Sequence, residues 1–268
     1  MADTRKYWTD KEQRAATARK HTENMQLEYS GQIEKAVIDT KIYDTDFKLD
    51  ANANKNRAEI TVINSDTVHA GHLYCNNGKT AILDFASYKN PGGMFINGSK
   101  AQEECLCHVS YLYNVLSQFT DKFYKWNNEN KNRALYFNRA LYSPGILFFD
   151  DGESFCCDVI VCAAPNKAAA QRHGKVSVKE NTDVLKCRIK FVLDIAADNH
   201  VDTLILGAFG CGVFGQDAEE VAGIFKEYLS NAYGCFTKVI FAVPSDKTNN
   251  LSTFKKVFMP CLFVTNGE

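Results

Sequence analysis

Six short apolar runs recur along the chain with helical stretches between them, and this alternation restricts the fold more than any other feature. The runs are EITVINSD (59–66), AILDFAS (81–87), ILFFD (146–150), VIVCAAP (159–165), TLILGAFG (203–210) and KVIFAVP (238–244). Several are apolar at consecutive positions, the pattern of strands covered on both faces, as parallel strands are. Between the runs, apolar residues step by three and four: Leu106, Val109, Tyr113 and Leu116; Leu185, Ile189, Val192 and Ala196; Val221, Ile224, Phe225 and Tyr228. Strand–helix alternation predicts an α/β fold, a largely parallel sheet with helices on both faces. Ligands of such sheets sit at the carboxyl ends of strands, in the loops that follow. Three loops fall at such positions: 65–70, 90–98 and 210–215.

The length, 268 residues, suits one α/β domain, expected to span 1–268 with residues 1–50 as a helical cover. A net charge of −1 leaves no basic surface for sequence-specific nucleic acid. No apolar run approaches the roughly 20 residues that span a bilayer, so no membrane partner is expected. The start, MADTRKYWTDKEQRAATARK, is charged and lacks the apolar core of a secretory signal. Ten cysteines occur without a C-x-x-C pair, and some, such as Cys162, lie inside apolar runs. They read as free thiols of a reducing compartment, cytoplasm or nucleus. Cys105, Cys107 and His108, and separately His69 and His72, lack regular metal-ligand spacing, so no metal is expected. Lys167, Gln171, Arg172 and His173 read as a solvated loop.

Two loops carry chemistry. In GAFGCGVFGQD, Gly207, Gly210, Gly212 and Gly215 crowd a strand end, and Asp217 starts a helix with Glu220 three residues on. Glycine-rich turns can aim amides at an anion, though many are merely turns. In NPGGMFINGSKAQEE (90–104), Gly92 and Gly93 precede Gln102-Glu103-Glu104. Ser99 and Gln102 have capping-box spacing, which would make the acids first-turn residues favoured by the helix dipole. Such a cap does not need the glycines upstream, nor the second glycine loop. Together they suit a ligand with a diphosphate and a glycosidic bond.

This combination resembles the microbial-type poly(ADP-ribose) glycohydrolases, a branch of the macrodomain fold. The family carries three glycines, then Gln-Glu-Glu; here Gly92 and Gly93 are followed by Met94, then Gln102-Glu103-Glu104. DFASYKNPGG, ALYSPGILFF, VCAAPN and LILGAFGCGVF also look like family blocks in family order, so the resemblance covers roughly 55–258. It implies a three-layer α/β/α fold with a mixed, largely parallel sheet, and hydrolysis of ribose–ribose bonds in ADP-ribose polymers. It implies Glu104 as the catalytic glutamate, Glu103 on ribose hydroxyls and Gln102 setting the loop. The backbones of Gly92, Gly93 and Met94 and of Gly210, Cys211, Gly212 and Val213 would surround the diphosphate. Phe214 would pack on the distal ribose and adenine, Asp66 and Thr67 would lie at the adenosine end, and Asn90 near the ribose. No cofactor is implied. The expected partner is poly(ADP-ribose) or an ADP-ribosylated protein, bound by a monomer.

Glycosidic cleavage needs a proton on the leaving oxygen and stabilisation of an oxocarbenium-like centre. One carboxyl can donate that proton and then take one from water. Helical neighbours point about 100° apart, so Glu103 and Glu104 should play different roles. A binding-only ADP-ribose reader is the alternative, favoured by Met94 if position 94 needs a left-handed backbone. A mono-ADP-ribosyl hydrolase is a third.

Overall fold

The computed structural model describes residues 10–49 and 58–259. The described residues open with helices α1 (Lys11–Glu28) and α2 (Ser30–Asp39) and strand β1 (Lys41–Tyr43), then β2 (Glu59–Ile63), α3 (Thr67–Tyr74) and β3 (Thr80–Phe85). After the 90–98 loop come α4 (Gln102–His108), α5 (Leu112–Ser117) and α6 (Lys125–Glu129). A long hairpin, β4 (Ala140–Asp150) and β5 (Glu153–Cys162), leads to α7 (Lys167–Gly174) and α8 (Val178–Asp198). The chain closes with β6 (Thr203–Leu206), α9 (Ala218–Asn231), β7 (Lys238–Ala242) and α10 (Asn250–Phe258).

Among the described residues, seven strands form one sheet in the order β1-β4-β5-β3-β6-β7-β2. The pairs β3–β5, β3–β6, β6–β7 and β2–β7 are parallel; β1–β4 and β4–β5 are antiparallel. Side chains alternate across the sheet, and the alternation divides the core in two. Ala81, Leu83, Ile160, Cys162, Leu204, Leu206, Val239 and Phe241 face α8, α9 and α10. Ile82, Val159, Val161, Ile205 and Ile240 face the opposite layer, built from α1 to α5. This is the three-layer, mixed and largely parallel architecture expected. No helix among the described residues is long and apolar enough to cross a membrane.

Several expectations need correction. β1 and the first half of β4 were not anticipated; Pro144 and Gly145 break the alternation, and the β4–β5 register shifts there. The stripe from Leu106 to Leu116 spans two helices, because the chain leaves helical geometry at Val109 and Ser110 bridges to Phe148. The segment after AAPN is helix α7, capped by the Asn166 side chain, rather than a loop. Of the N-terminal cover, residues 1–9 and 50 lie outside the described residues. The remainder buttresses the 90–98 loop: buried Arg14 donates from Nε to the Gly98 carbonyl at 2.8 Å.

Candidate active site

A cleft of about 840 Å³ opens at the carboxyl ends of β3, β6 and β7. Its floor is the first turn of α4. The N-cap there is Ala101, so the Ser99–Gln102 capping box is not formed. Instead, Gln102 is bound to the sheet. Its side-chain oxygen accepts from the Phe85 amide at 2.8 Å, and its nitrogen donates to the Leu83 carbonyl at 3.0 Å and to Thr67 Oγ1 at 3.3 Å. Gln102 thus extends the hydrogen-bonding of β3 beyond its last ladder pair, fixing where the next two residues point.

Those residues are Glu103 and Glu104, 3% and 6% exposed. One oxygen of Glu104 accepts from the Met94 amide at 2.8 Å and the other from the Ala101 amide at 2.9 Å. Glu103 Oε2 accepts from the Ser87 amide at 2.7 Å, with the Gly93 amide also directed at the carboxylate. Gly93 has φ +61°, and a Cβ there would lie 2.5 Å from Glu104 Oε1 and 2.8 Å from Glu103 Oε2. Position 93 therefore needs glycine twice over, for its backbone and for the space the two acids occupy. Met94 has φ −112°, an ordinary value, so a third glycine is not demanded by conformation. The amide of Met94 donates to Glu104, so that amide is engaged within the protein.

Behind the acids lies a carboxyl that sequence reading missed. Asp84, on the same face of β3 as Ile82, is fully buried, and neither of its oxygens has a protein hydrogen-bond partner. Glu103 Oε1 and the Tyr124 hydroxyl are likewise unpartnered. Burial, with Glu104 as the second cause, pushes the Asp84 carboxyl well above the usual range. Glu103 is pushed the same way by burial and then by Asp84, while its amide donors oppose the shift. Glu103 has amide donors that favour its ionised form and Asp84 has none, which makes Asp84 the more readily protonated of the two. Asp84 sits in an otherwise apolar strand run, where only its oddity could have flagged it.

The opposite wall is the loop after β6. Gly210, at φ +78°, brings the backbone so close to Ala164 that a Cβ would lie 2.7 Å from its methyl group. The turn's own bonds run from Gly215 to Gly212 and from Gln216 to Gly210, leaving the amides of Gly212, Val213 and Phe214 outside them. Phe214 lines the cleft and meets the Tyr136 ring edge-on, with centroids 6.2 Å apart. Tyr136 in turn stacks on Tyr88 at 4.2 Å; both tyrosines line the cleft, and neither was expected. Asp66, Thr67, Met94, Gln102, Gly212 and Val213 also line it. Asn90, Gly92 and Cys211 are not among its lining residues; Gly92 is backed by Tyr113 and Cys107. The Asp66 side chain caps α3.

No curated protein matches the sequence. Residues 11–151, just over half of the chain, match the family described as "Microbial-type PARG, catalytic domain". The chain belongs to this family. Solved structures agree with the assignment. Poly(ADP-ribose) glycohydrolase (PARG) from Thermomonospora curvata is 28% identical, aligned over 91% of this chain and 99% of its own, with a TM-score of 0.80. The same protein bound to the inhibitor ADP-HPD is 29% identical over the same shares, also at 0.80. PARG from Deinococcus radiodurans in complex with ADP-ribose is 30% identical over 84% of this chain and 96% of its own, at 0.78. In this microbial-type PARG, the family region carries the α4 acids, Asp84 and the 90–98 loop, whereas the 210–215 wall lies beyond it.

Cys105, Cys107 and His108 do not form a metal-ligand group among the described residues. His69 and His72 are joined across the fold by Asp150, with one potential ligand atom from each within 4.8 Å of the others. The described cysteines are free thiols.

Proposed function

We propose that this PARG hydrolyses the ribose–ribose bonds of poly(ADP-ribose) and releases ADP-ribose, with Glu104 as general acid and base. The observation that carries this reading is a pair of buried carboxylates, each positioned by backbone amides, on the floor of a cleft whose far wall offers unengaged amides. The diphosphate lies against the amides of Gly212, Val213 and Phe214, and Phe214 packs on the distal ribose and adenine. The bond to the anomeric carbon is then above α4. Glu104 gives a proton to the departing ribose oxygen as that bond breaks, and takes one from the water that attacks the oxocarbenium-like centre. Glu103 accepts from ribose hydroxyls. The diphosphate's negative charge offsets the positive charge that develops. A binding-only role gains nothing from Met94, whose backbone is unstrained.

The test is incubation with poly(ADP-ribose) and detection of free ADP-ribose, alongside Glu104→Gln. Loss of a general acid is expected to slow hydrolysis by at least about a hundredfold. The glutamine must also turn its NH2 toward the amide of either Met94 or Ala101, so a loss of about 1–3 kcal/mol in stability accompanies it. Near-wild-type turnover by a folded Glu104→Gln protein refutes the assignment.

A further inference from the structure

Outside the lining of the cleft, helix α3 meets the tip of the β4–β5 hairpin. His69 and His72, one turn apart on α3, both direct Nδ1 at the same oxygen of Asp150, at 2.9 and 3.1 Å. The nitrogens and the carboxylate oxygen lie within 4.8 Å of one another. The other nitrogen of His72, Nε2, is 3.0 Å from Glu153 Oε2. Asp150 and Glu153 are cross-strand partners in the hairpin, so a single tight turn presents both acids to the helix. The His72 ring is held by stacking on Phe155, 5.3 Å between centroids and 4° from parallel.

A neutral imidazole has one N–H and one lone pair. His72 faces a carboxylate oxygen from each nitrogen, so in the neutral ring one of its two contacts sets lone pair against lone pair, unless a metal ion or a second proton intervenes. We propose that His69, His72 and Asp150 form a divalent transition-metal site of the zinc class, with Glu153 orienting His72. The ion sits among both Nδ1 atoms and Asp150 Oδ2, and His72 donates its Nε2 hydrogen to Glu153. That is the carboxylate–histidine–metal arrangement in which an outer carboxylate fixes tautomer and ring orientation. Two imidazoles and one carboxylate suit zinc and its neighbours rather than calcium or magnesium, which prefer all-oxygen shells. Zinc–nitrogen bonds of about 2.0–2.1 Å place tetrahedral ligands about 3.3 Å apart. The two nitrogen–oxygen separations, 2.9 and 3.1 Å, lie near that spacing, and the His69 side chain is 44% exposed.

None of the four residues lines the cleft, so the ion takes no part in hydrolysis. Its role is to clasp α3 to the hairpin. The helix so held is the one that begins at Asp66, on the cleft wall.

The experiment is calorimetric titration of the metal-free full chain with zinc chloride, repeated on His69→Ala, Asp150→Asn and Glu153→Gln, with thermal melts of each. One zinc per chain is expected for the wild type, with a higher melting temperature when zinc is present. His69→Ala and Asp150→Asn should each weaken binding by at least about a hundredfold. Glu153→Gln, altering an outer partner, should weaken it about 10–100-fold. A cooperative melt for each variant shows that it has folded. Absence of zinc binding by the wild type overturns the proposal and leaves a proton on His72 as the cation between the carboxylates. Wild-type affinity in His69→Ala and Asp150→Asn also overturns it, assigning the zinc to thiols such as exposed Cys156.

Discussion

Asp84→Asn tests where the buried proton resides. Asparagine matches the shape of a neutral carboxylic acid but cannot ionise. If Asp84 is neutral in the fold and ionised in the unfolded chain at neutral pH, unfolding releases one proton. The unfolded state then binds fewer protons, and wild-type stability falls as pH rises, by about 1.4 kcal/mol per pH unit for one proton. The decline begins above the unfolded-chain value of about 3.9 and ends at the raised value in the fold. The asparagine variant lacks this term. Its advantage over wild type should therefore grow as pH rises above the unfolded-chain value, by at most about 1.4 kcal/mol per pH unit, until the raised value in the fold is reached. Contributions from Glu103 occur in both proteins and largely cancel. Urea unfolding of the pair at half-unit steps from pH 5 to pH 8 measures the difference directly. Hydrolysis should stay within a few-fold of wild type, because a neutral group is replaced by a neutral group. A stability difference that stays flat across this range refutes the reasoning: Asp84 would then be ionised in the fold, with the proton elsewhere in the cluster.

Phe214→Ala should weaken ADP-ribose binding by about tenfold or more, the scale of losing a stacked aromatic; calorimetry on the folded variant checks this, and unchanged affinity returns the ring to its packing against Tyr136. Met94→Gly should leave hydrolysis within about threefold and cost at most about 1 kcal/mol in a urea melt, because φ at 94 is already ordinary; a gain in rate of tenfold or more would mean that the side chain obstructs substrate. EDTA should leave the rate of polymer hydrolysis unchanged at temperatures well below unfolding, since no group at the acids is of metal-binding type among the described residues; loss restored by zinc or magnesium would place a metal in the reaction.

The strands were legible where burial on both faces imposed an unbroken apolar run, as in VIVCAAP and TLILGAFG. β1 was not, because a three-residue edge strand, two residues of it exposed, is specified by its partner β4 rather than by its own composition. The Gln-Glu-Glu turn was legible because its spacing from the glycines is local. What each member does was not. Gln102 could be read locally as a cap or as the residue that sets the loop, and its partners on β3 are 17 and 19 residues away. Asp84 offered no pattern, since one acid in an apolar strand could equally face solvent. Tyr88 and Tyr136 become neighbours only through the fold. The pair His69 and His72 was dismissed on spacing, because the third group arrives from a hairpin 78 residues downstream of His72.

The bonds from Gln102 to strand β3 decide which half of the cleft can adapt. Moving the first turn of α4 relative to the sheet would break buried hydrogen bonds to Phe85 and Leu83 and dislodge two carboxylates from their amides. The acids are in effect a rigid anvil. The loop opposite has glycines at both ends, and Val213 at its tip is 86% exposed. If the 210–215 loop carries the substrate contacts proposed above, variation in substrate preference should arise there while the floor of the cleft stays fixed.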